Sequence, residues 1–455
     1  MKKVIVAGVV TPKGLGDALQ YYITTKLLND LLPEAEITLM CPDLINSLFV
    51  FENLSINAKL VDLNPAGYLA FRRLLRSSFP LKKHKSVSVK TEITKKRRMK
   101  SLRKYLKIIK VIRDTYEKYF TFYNADRFIS SVFLRDCRFD AGMVGGHTLG
   151  DIIYRYITQY DVFNSVVSGP LVMSPISISK VGLEHFGRGG SIFKKALMVK
   201  RLSHSLQKLD FIYTRGPLSL EILRYYLNIN EEKTGMALDS GFGARLLSNS
   251  FATSKTSARK KRRIIIVPRR DYFYVFNREK LYPLYLKSMT DFILWLSKNF
   301  DGEIFLSSQN LVSDAINDIN RVLRKRGNNL LLKTLQIFVP TNLVDACKLY
   351  SSSDMVVTSR MHGGITALSF GVPVLFVLPS ADTKLLDVLS FLGLDINSFL
   401  VDMFDVNSLK TENFVSKAEN ILENLDYYKK IVGFAVNKAL PTLELPVKTL
   451  IKLSE

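Results

Sequence analysis

A short motif in the second half of the chain combines residue types that bind anions and transfer protons. Arg360 and His362 are followed at once by Gly363 and Gly364, and the stretch 354–378 around them predicts a strand, a helix and a second strand. A guanidinium, an imidazole and the free N–H groups of a helix N-terminus suit an anionic ligand. A structural role, in which Arg360 pairs with a carboxylate and His362 caps the helix, is an equal alternative on this motif alone.

Polar residues also follow the other predicted strands of the second half. They are Arg269 and Arg270 after a strand over 264–267, Ser308 and Gln309 after a strand over 303–306, and the segment from Ser380 to Lys384 after a strand over 374–378. Ligands of open α/β sheets bind beyond the carboxyl ends of the strands. We therefore expect these residues to lie with Arg360 and His362 at one edge of a sheet.

Glycine turns follow two predicted strands of the first half. The first turn, Gly14-Leu15-Gly16-Asp17, does not have the G-x-G-x-x-G spacing of dinucleotide-binding sites, and the second is Gly145-Gly146-His147. Such glycines let the backbone approach a ligand or simply permit a tight turn. Asp17 is predicted to cap the helix that follows it.

Three further strands are predicted in the first half, over 166–173, 211–214 and about 236–238. Arg215 follows the second of them, and Pro217 suits the first turn of the helix that comes next. Asp239 follows the third, and the sequence assigns no chemistry to it.

The size and composition of the chain indicate a globular α/β protein of two domains. With 455 residues, 47% of them hydrophobic and 23% charged, the chain is too long for one ordinary core. We predict an N-terminal α/β domain over 1–247 with an insertion at about 72–123, and a linker over 248–263. A C-terminal α/β domain is predicted over 264–406, followed by helices over 407–455.

The cysteines and the apolar segments bear on the compartment and on metals. Cys41, Cys137 and Cys347 are scattered and odd in number, which indicates a reducing compartment and no structural zinc. The N-terminal apolar run is too short for a signal peptide, and no segment is apolar enough to span a bilayer. The chain is therefore expected to be cytoplasmic.

The net charge of +24 is concentrated in the predicted insertion. Residues 72–118 contain 18 lysines and arginines and three acidic residues. A solvated amphipathic helix is the favoured interpretation of this region, and peripheral contact of 80–118 with an anionic membrane, at its inner face, is the alternative. No RNP-like, helix-turn-helix or zinc-finger pattern accompanies the charge, so nucleic acid is not an expected partner.

The motifs together resemble the polysaccharide pyruvyl transferase family over about residues 1–395. The corresponding elements are Gly14-Leu15-Gly16-Asp17, Gly145-Gly146-His147, Arg215 to Ser219, Arg360-Met361-His362, Gly371-Val372-Pro373 and Lys384. The chain departs from the family pattern where Lys13 stands in place of an asparagine and His147 in place of a third glycine. Its basic insertion is also larger than expected. These departures concern the acceptor more than the reaction.

The resemblance implies a glycosyltransferase-B-like fold, with two Rossmann-like domains facing across a cleft. It also implies transfer of pyruvate from phosphoenolpyruvate to a sugar of a surface polysaccharide or of its lipid-linked precursor. The transfer forms a ketal and uses no cofactor or metal. In that reaction His362 is the candidate general acid and Arg360 the candidate ligand of the phosphate or carboxylate. Further candidate contacts to the donor are Arg215, Arg269, Ser308, Gln309, Gly363, Gly364 and Lys384. On the acceptor side they are Gly16, Asp17, Gly146 and His147, where Asp17 is equally a helix cap.

Two other functions remain open from the sequence. The first is a glycosyltransferase of the same architecture that uses a nucleotide sugar, for which Asp387 is a candidate ribose contact or else a charge on a helix surface. The second is a non-enzymatic protein that binds nucleic acid or an anionic membrane.

Overall fold

A computed structural model describes residues 3–7, 15–41, 58–62, 138–145, 148–149, 166–178, 192–250, 261–308, 314–340 and 342–455. The predicted basic insertion, Gly146, His147 and Gln309 lie outside these residues. The expectations that concern them stay predictions.

The first half of the chain forms a parallel sheet. Its strands are β1 (Lys3–Ala7), β2 (Glu36–Cys41), β3 (Lys59–Asp62), β4 (Ala141–Val144), β5 (Thr148–Leu149), β6 (Leu171–Ile178), β7 (Phe211–Thr214) and β8 (Thr234–Met236). Their order is β3-β2-β1-β4-β6-β7-β8, with β5 beside β6, and every described pairing is parallel. Helices α1 (Leu15–Leu31), α2 (Ile192–Gln207) and α3 (Pro217–Glu221) belong to this half. Pro217 is the first residue of α3, as predicted.

The second half forms another parallel sheet. Its strands are β9 (Arg262–Val267), β10 (Gly302–Ser307), β11 (Gln336–Phe338), β12 (Met355–Thr358), β13 (Val374–Leu378) and β14 (Leu400–Asp402), in the order β11-β10-β9-β12-β13-β14. Its helices are α4 (Asp271–Val275), α5 (Tyr282–Asn299), α6 (Asp314–Lys325), α7 (Asn329–Thr334), α8 (Leu343–Ser351), α9 (Met361–Ser369), α10 (Thr383–Leu392) and α11 (Ile396–Phe399). The chain ends with α12 (Thr411–Glu423), α13 (Leu425–Ala439) and α14 (Leu445–Ser454).

Both sheets have the buried apolar strands that the sequence predicts for parallel sheets. All residues of β12 and β13 are buried, as are all residues of β4 and β6. Helices on both faces exclude water from such strands, and this is why the runs are continuous rather than alternating. The α/β class predicted from the sequence is therefore confirmed.

Several predicted boundaries are wrong. Strand β6 spans Leu171–Ile178 rather than 166–173, because Pro170 has no N–H to donate to a ladder and the strand begins after it. Strand β8 ends at Met236, so Asp239 lies in the loop beyond it. Strand β9 begins at Arg262, within the segment predicted as a linker, and a 3₁₀ segment occupies Ser240–Ser250.

The C-terminal helix α14 packs against the first sheet rather than the second. It contacts β6 and α1, and its Val447 and Leu450 are buried. The Tyr213 and Thr449 hydroxyls lie 2.6 Å apart, which ties β7 to α14. The end of the chain thus returns to the first half and helps to fix the two halves relative to each other.

Candidate functional site

The motif Arg360 to Gly364 lies where β12 ends and α9 begins. Arg360 precedes the first residue of α9, and its backbone N–H donates to the Thr358 hydroxyl at 2.9 Å. The same hydroxyl donates to the carbonyl oxygen of Arg360 at 3.0 Å. These two bonds fix the turn between β12 and α9. Arg360 therefore lies at the end of the strand, and His362 lies in the first turn of the helix.

Gly364 has a packing role in this helix. A Cβ atom at Gly364 would lie 2.0 Å from Cε1 of Phe376, so α9 approaches β13 more closely than any larger residue would permit. The Gly364 N–H also donates to the carbonyl oxygen of Arg360 at 3.3 Å. This N–H is thus bonded within the helix, and the predicted contact of Gly363 and Gly364 with the donor stays a prediction. Gly363 is buried beside it.

Two arginines share one carboxylate at the carboxyl edge of the second sheet. Arg269 donates to both oxygens of Asp271 at 2.7 Å, and its guanidinium lies 3.3 Å from the centre of the Tyr272 ring. Arg360 Nη2 lies 3.5 Å from Asp271 Oδ1. Burial, and next the charge of Arg269, lower the pKa of Arg360 from its ordinary value. The edge therefore carries uncompensated positive charge.

The Nε atom of Arg360 is buried and has no hydrogen-bond partner among the described residues. A buried donor without a partner costs about 1–3 kcal/mol. An anionic ligand would satisfy it.

His362 contacts a buried polar cluster that belongs to the first half of the chain. Gln20 Nε2 lies 3.2 Å from His362 Nε2 and donates to both oxygens of Asp239, at 2.9 and 3.1 Å. Arg215 Nε lies 2.5 Å from Asp239 Oδ2. Gln20, Asp239 and Arg215 are each exposed by 2% or less. The side chains thus form a chain of contacts from the first sheet to His362.

Three elements of the first half position this cluster. Gln20 lies on α1, Arg215 directly follows β7, and Asp239 follows β8. The Gly241 N–H donates to Asp239 Oδ1 at 2.7 Å, which orients the carboxylate. Since both sheets are parallel and His362 follows β12, the cluster lies where the carboxyl edges of the two sheets meet.

Burial is the largest influence on the proton equilibrium of His362 and lowers its pKa to about 4. Arg215, Lys384 and Arg269 lower it as well, whereas Asp239 opposes them. Burial alone would raise the pKa of Asp239, but Arg215, together with the bonds from Gln20 and Gly241, holds it below the usual value. At neutral pH the site therefore contains an ionised Asp239 and a neutral His362.

The remaining predicted site residues differ in their distance from this cluster. Lys384, the second residue of α10, lies close enough for its charge to act on His362. Ser308 is buried at the carboxyl end of β10. Gly16 and Asp17 lie in the first turn of α1; Asp17 is the third residue of this helix, so the prediction that it caps the helix from outside is wrong.

Gln20 and Asp239 are the cluster members that the sequence analysis missed. Gln20 shares a helix face with Ile23, Thr24 and Leu27, so a large polar residue on a buried stripe was the available signal. Asp239 had the same signal as Arg215, a charged residue shortly after a predicted strand.

Asp387 has a structural role. It is fully buried, accepts a hydrogen bond from the Ser219 N–H at 3.0 Å, and bonds the Ser219 hydroxyl as well. A Cβ atom at Gly216 would lie 2.4 Å from the carbonyl oxygen of Asp387. Both earlier interpretations, a ribose contact and a charge on a helix surface, are therefore wrong, because the carboxylate joins α10 to the start of α3.

Two searches of the described residues bear on metals and membranes. They contain no group of three or more His, Cys, Asp or Glu side chains arranged to hold a metal ion. Of the helices within the same residues, none is long and apolar enough to cross a membrane.

Solved structures of low sequence identity share the fold of this chain. UDP-GlcNAc 2-epimerase from Neisseria meningitidis, bound to UDP-GlcNAc, is 14% identical with a TM-score of 0.57, and the alignment covers 99% of this chain and 100% of that one. Anabaena HepE, in complex with UDP and glucose, is 11% identical with a TM-score of 0.52, at 99% and 100% coverage. A Glycyrrhiza uralensis protein in complex with glycyrrhetinic acid 3-O-monoglucuronide is 9% identical with a TM-score of 0.56, at 100% and 96% coverage. The chain therefore has the glycosyltransferase-B fold predicted from its sequence.

The sequence itself identifies the family. A comparison with curated proteins finds no match. The family model of the polysaccharide pyruvyl transferases, however, matches residues 15–380, a range that includes the cluster around His362 and both halves of the fold. The chain belongs to the polysaccharide pyruvyl transferase family.

Proposed function

We propose that this protein transfers pyruvate from phosphoenolpyruvate to a sugar of a surface polysaccharide, or of its lipid-linked precursor, and forms a ketal. Family membership supports the transfer of a pyruvyl group. The observation that carries the proposal is the position of a neutral imidazole, His362, beside a carboxyl edge rich in arginine.

The charges around His362 and Arg360 suit phosphoenolpyruvate, which carries a phosphate and a carboxylate. Besides Arg360 itself, the cations that influence these two residues are Arg215, Arg269 and Lys384, and the carboxylates are Asp239 and Asp271. This excess of positive charge favours a ligand with more than one negative charge. The unpaired Nε of Arg360 makes this residue the first candidate for a bidentate contact to the phosphate or carboxylate.

The reaction needs a group that gives and takes protons. A proton is added to C3 of phosphoenolpyruvate, which makes C2 electrophilic, and one sugar hydroxyl forms a bond to C2. A second hydroxyl then forms the other C–O bond while the bond from C2 to the phosphate oxygen breaks. The two hydroxyl protons balance the proton gained by C3 and the one gained by the departing phosphate.

His362 is the proposed proton donor to C3. Its pKa of about 4 leaves it neutral in the free protein at pH 7. Negative charges placed close to an imidazole favour its protonated form. Binding of phosphoenolpyruvate should therefore raise the pKa of His362 and take up a proton. Calorimetry in buffers of different ionisation enthalpy measures this uptake; equal uptake by wild type and His362→Gln would contradict the role of His362.

The proposal is tested by phosphate release from phosphoenolpyruvate with a panel of lipid-linked sugars. We expect His362→Ala to lower kcat by about 10²–10⁴-fold, the range of general acid–base catalysis. Arg360→Ala should also lose turnover, because the donor loses its main ligand. Arg263→Ala is the control, since Arg263 pairs with Glu303 at the amino end of β9, away from the site. Wild-type turnover in both site variants would overturn the assignment.

The nucleotide-sugar alternative has lost its candidate ribose contact, because Asp387 is bonded to Ser219. The relatives solved with UDP or UDP-GlcNAc share the fold alone. Nucleotide sugars offered in the same assay test this alternative: release of the nucleotide with transfer of the sugar would support it against pyruvyl transfer.

A lipid-linked acceptor would bring the protein to a membrane, and we include peripheral contact of residues 80–118 with anionic lipid in the proposal. The support is the local excess of lysine and arginine in the sequence. Flotation with anionic vesicles, comparing the full chain with a deletion of 80–118, tests the contact. Equal flotation of both proteins would contradict it.

A further inference from the structure

The contact between Gln20 and His362 joins the two halves of the fold at the proposed proton donor. Gln20 Nε2 lies 3.2 Å from His362 Nε2, and the two residues are 342 positions apart in the chain. The same Nε2 donates to Asp239. One amide group therefore contacts both a buried carboxylate and a partly buried imidazole.

The charge of Asp239 determines which end of the Gln20 amide faces the imidazole. Asp239 is held ionised by Arg215, and a carboxylate accepts hydrogen bonds but cannot donate them. The NH2 end of Gln20 must therefore face Asp239, since the carbonyl end would place two acceptors against each other. In this orientation the NH2 group also faces His362.

The orientation of the amide in turn determines the tautomer of His362. An NH2 group is only a donor, so His362 Nε2 must be the unprotonated nitrogen and Nδ1 must hold the proton. Protonation of Nε2 would oppose two donors. The charged groups that act on the ring from the packed elements are Asp239, Arg215, Lys384 and Arg269. Among these groups only Asp239 favours the protonated ring. Gln20 contacts both Asp239 and the ring of His362.

We propose that Gln20, oriented by Asp239, is a positioning residue that holds His362 in the neutral Nδ1–H tautomer until the substrate binds. Formation of the imidazolium would place the new Nε2–H against the NH2 group of Gln20, so the contact between Gln20 and His362 must break when the substrate binds. The catalytic consequence rests on the proposed function, whereas the tautomer itself does not.

The tautomer can be read directly by NMR of protein labelled with ¹⁵N-histidine, because the chain has only five histidines. His362→Gln assigns the signal, and the exposed His204 on α2 serves as an internal reference. We expect wild-type His362 to show a protonated Nδ1 and an unprotonated Nε2 at neutral pH. A predominant Nε2–H tautomer in the wild type would overturn the proposal.

Two substitutions of similar shape test the role of Gln20. Gln20→Met removes the donor, so His362 should become a mixture of tautomers and titrate about one pH unit higher, as expected for the loss of one hydrogen bond to the neutral ring. Gln20→Glu places a second carboxyl group beside Asp239 and His362. The two carboxyl groups sharing one proton still leave a negative charge beside the ring, so the titration of His362 should move further upward. An unchanged tautomer and titration in both variants would contradict the proposal.

Measurements of activity distinguish a failure of this inference from a failure of the proposed function. If phosphate is released from phosphoenolpyruvate, Gln20→Met should lower kcat by about 10–100-fold, the cost of a misplaced catalytic group, and change KM less. His362 must be protonated to act as a donor, so the limb of the pH profile of kcat/KM on which activity falls with rising pH should move in the same direction as the NMR titration. If the wild type releases no phosphate, the proposed function fails while the NMR result still decides the role of Gln20.

Discussion

Two buried carboxylates, Asp239 and Asp387, lie where the halves of this protein meet, and their environments differ. Asp239 has Arg215 beside it and accepts bonds from Gln20 and Gly241, and these groups together hold its pKa below the usual value against the effect of burial. Burial raises the pKa of Asp387, which accepts bonds from Ser219 and has no direct ion-pair partner among the described residues.

The difference separates the chemistry of the site from the structure that holds it. The charged Asp239 organises a cluster that ends at His362, and its charge sets the orientation of Gln20. Asp387 satisfies the first residues of α3 and thereby fixes α10, the helix that carries Lys384. In this protein the carboxylate beside the candidate site is the one that neighbouring groups hold ionised, whereas Asp387 joins two helices.

The largest predicted effect concerns the ion pair of Asp239. Arg215→Met should lower the free energy of unfolding by about 3–5 kcal/mol, because it leaves a buried charge without its partner. Urea unfolding of the wild type and the variant measures the change. Lys26→Met is the matched control in the same half: Lys26 pairs with the exposed Asp30 one helical turn later, and the loss should be about 0–1 kcal/mol. Similar small losses in both variants would refute the special role of the buried pair.

An intermediate effect is expected for the packing that brings His362 to this cluster. Gly364→Ala should cost about 1–3 kcal/mol, because the added methyl group overlaps Phe376. Gly433→Ala, in α13, has no atom within 4 Å of the new methyl group and should instead stabilise the protein by about 0.5–1 kcal/mol. Thermal unfolding compares the two, and equal effects would contradict the packing role of Gly364.

The smallest effect should come from Asp387→Asn. The amide oxygen can still accept the bond from the Ser219 N–H, so we expect a cost of about 1 kcal/mol at acidic pH. The pKa of Asp387 is raised in the folded state, so the protonated carboxyl group stabilises the fold at pH values below its unfolded pKa, near 3.8. This contribution is lost as the pH rises through the folded pKa. The asparagine variant lacks this loss, so its stability relative to the wild type should increase with pH. Urea unfolding at several pH values measures the trend, and a cost that grows with pH would contradict it.

The sequence predicts correctly those parts of the fold where a residue pattern is compatible with a single type of structure. The continuous apolar run predicted the bounds of β13, Val374–Leu378, correctly. Such a run is typical of a strand that is buried on both faces of a parallel sheet. The placement of Arg360 and His362 at the end of β12 followed from the same reasoning. Glycine is more ambiguous: Gly364 could serve a ligand or close packing, and only the position of Phe376 distinguishes the two.

The sequence could not pair residues across the two halves. Gln20 and His362 are 342 positions apart, and no local sequence pattern predicts that a side chain of α1 contacts the first turn of α9. The return of α14 to the first sheet is of the same kind, because apolar positions such as Leu450 indicate burial but not the surface against which they are buried. The roles of Gly146, His147 and Gln309 stay predictions.

The most direct test of the central claim follows the carbon atoms of phosphoenolpyruvate. The protein is incubated with phosphoenolpyruvate labelled with ¹³C in its three carbons and with lipid-linked sugars, and both the phosphate and the sugar product are measured. We predict that one phosphate is released for each labelled pyruvyl group found on the sugar, and that His362→Ala forms neither product. Release of phosphate without labelled carbon on the sugar, or equal product from His362→Ala, would contradict the account.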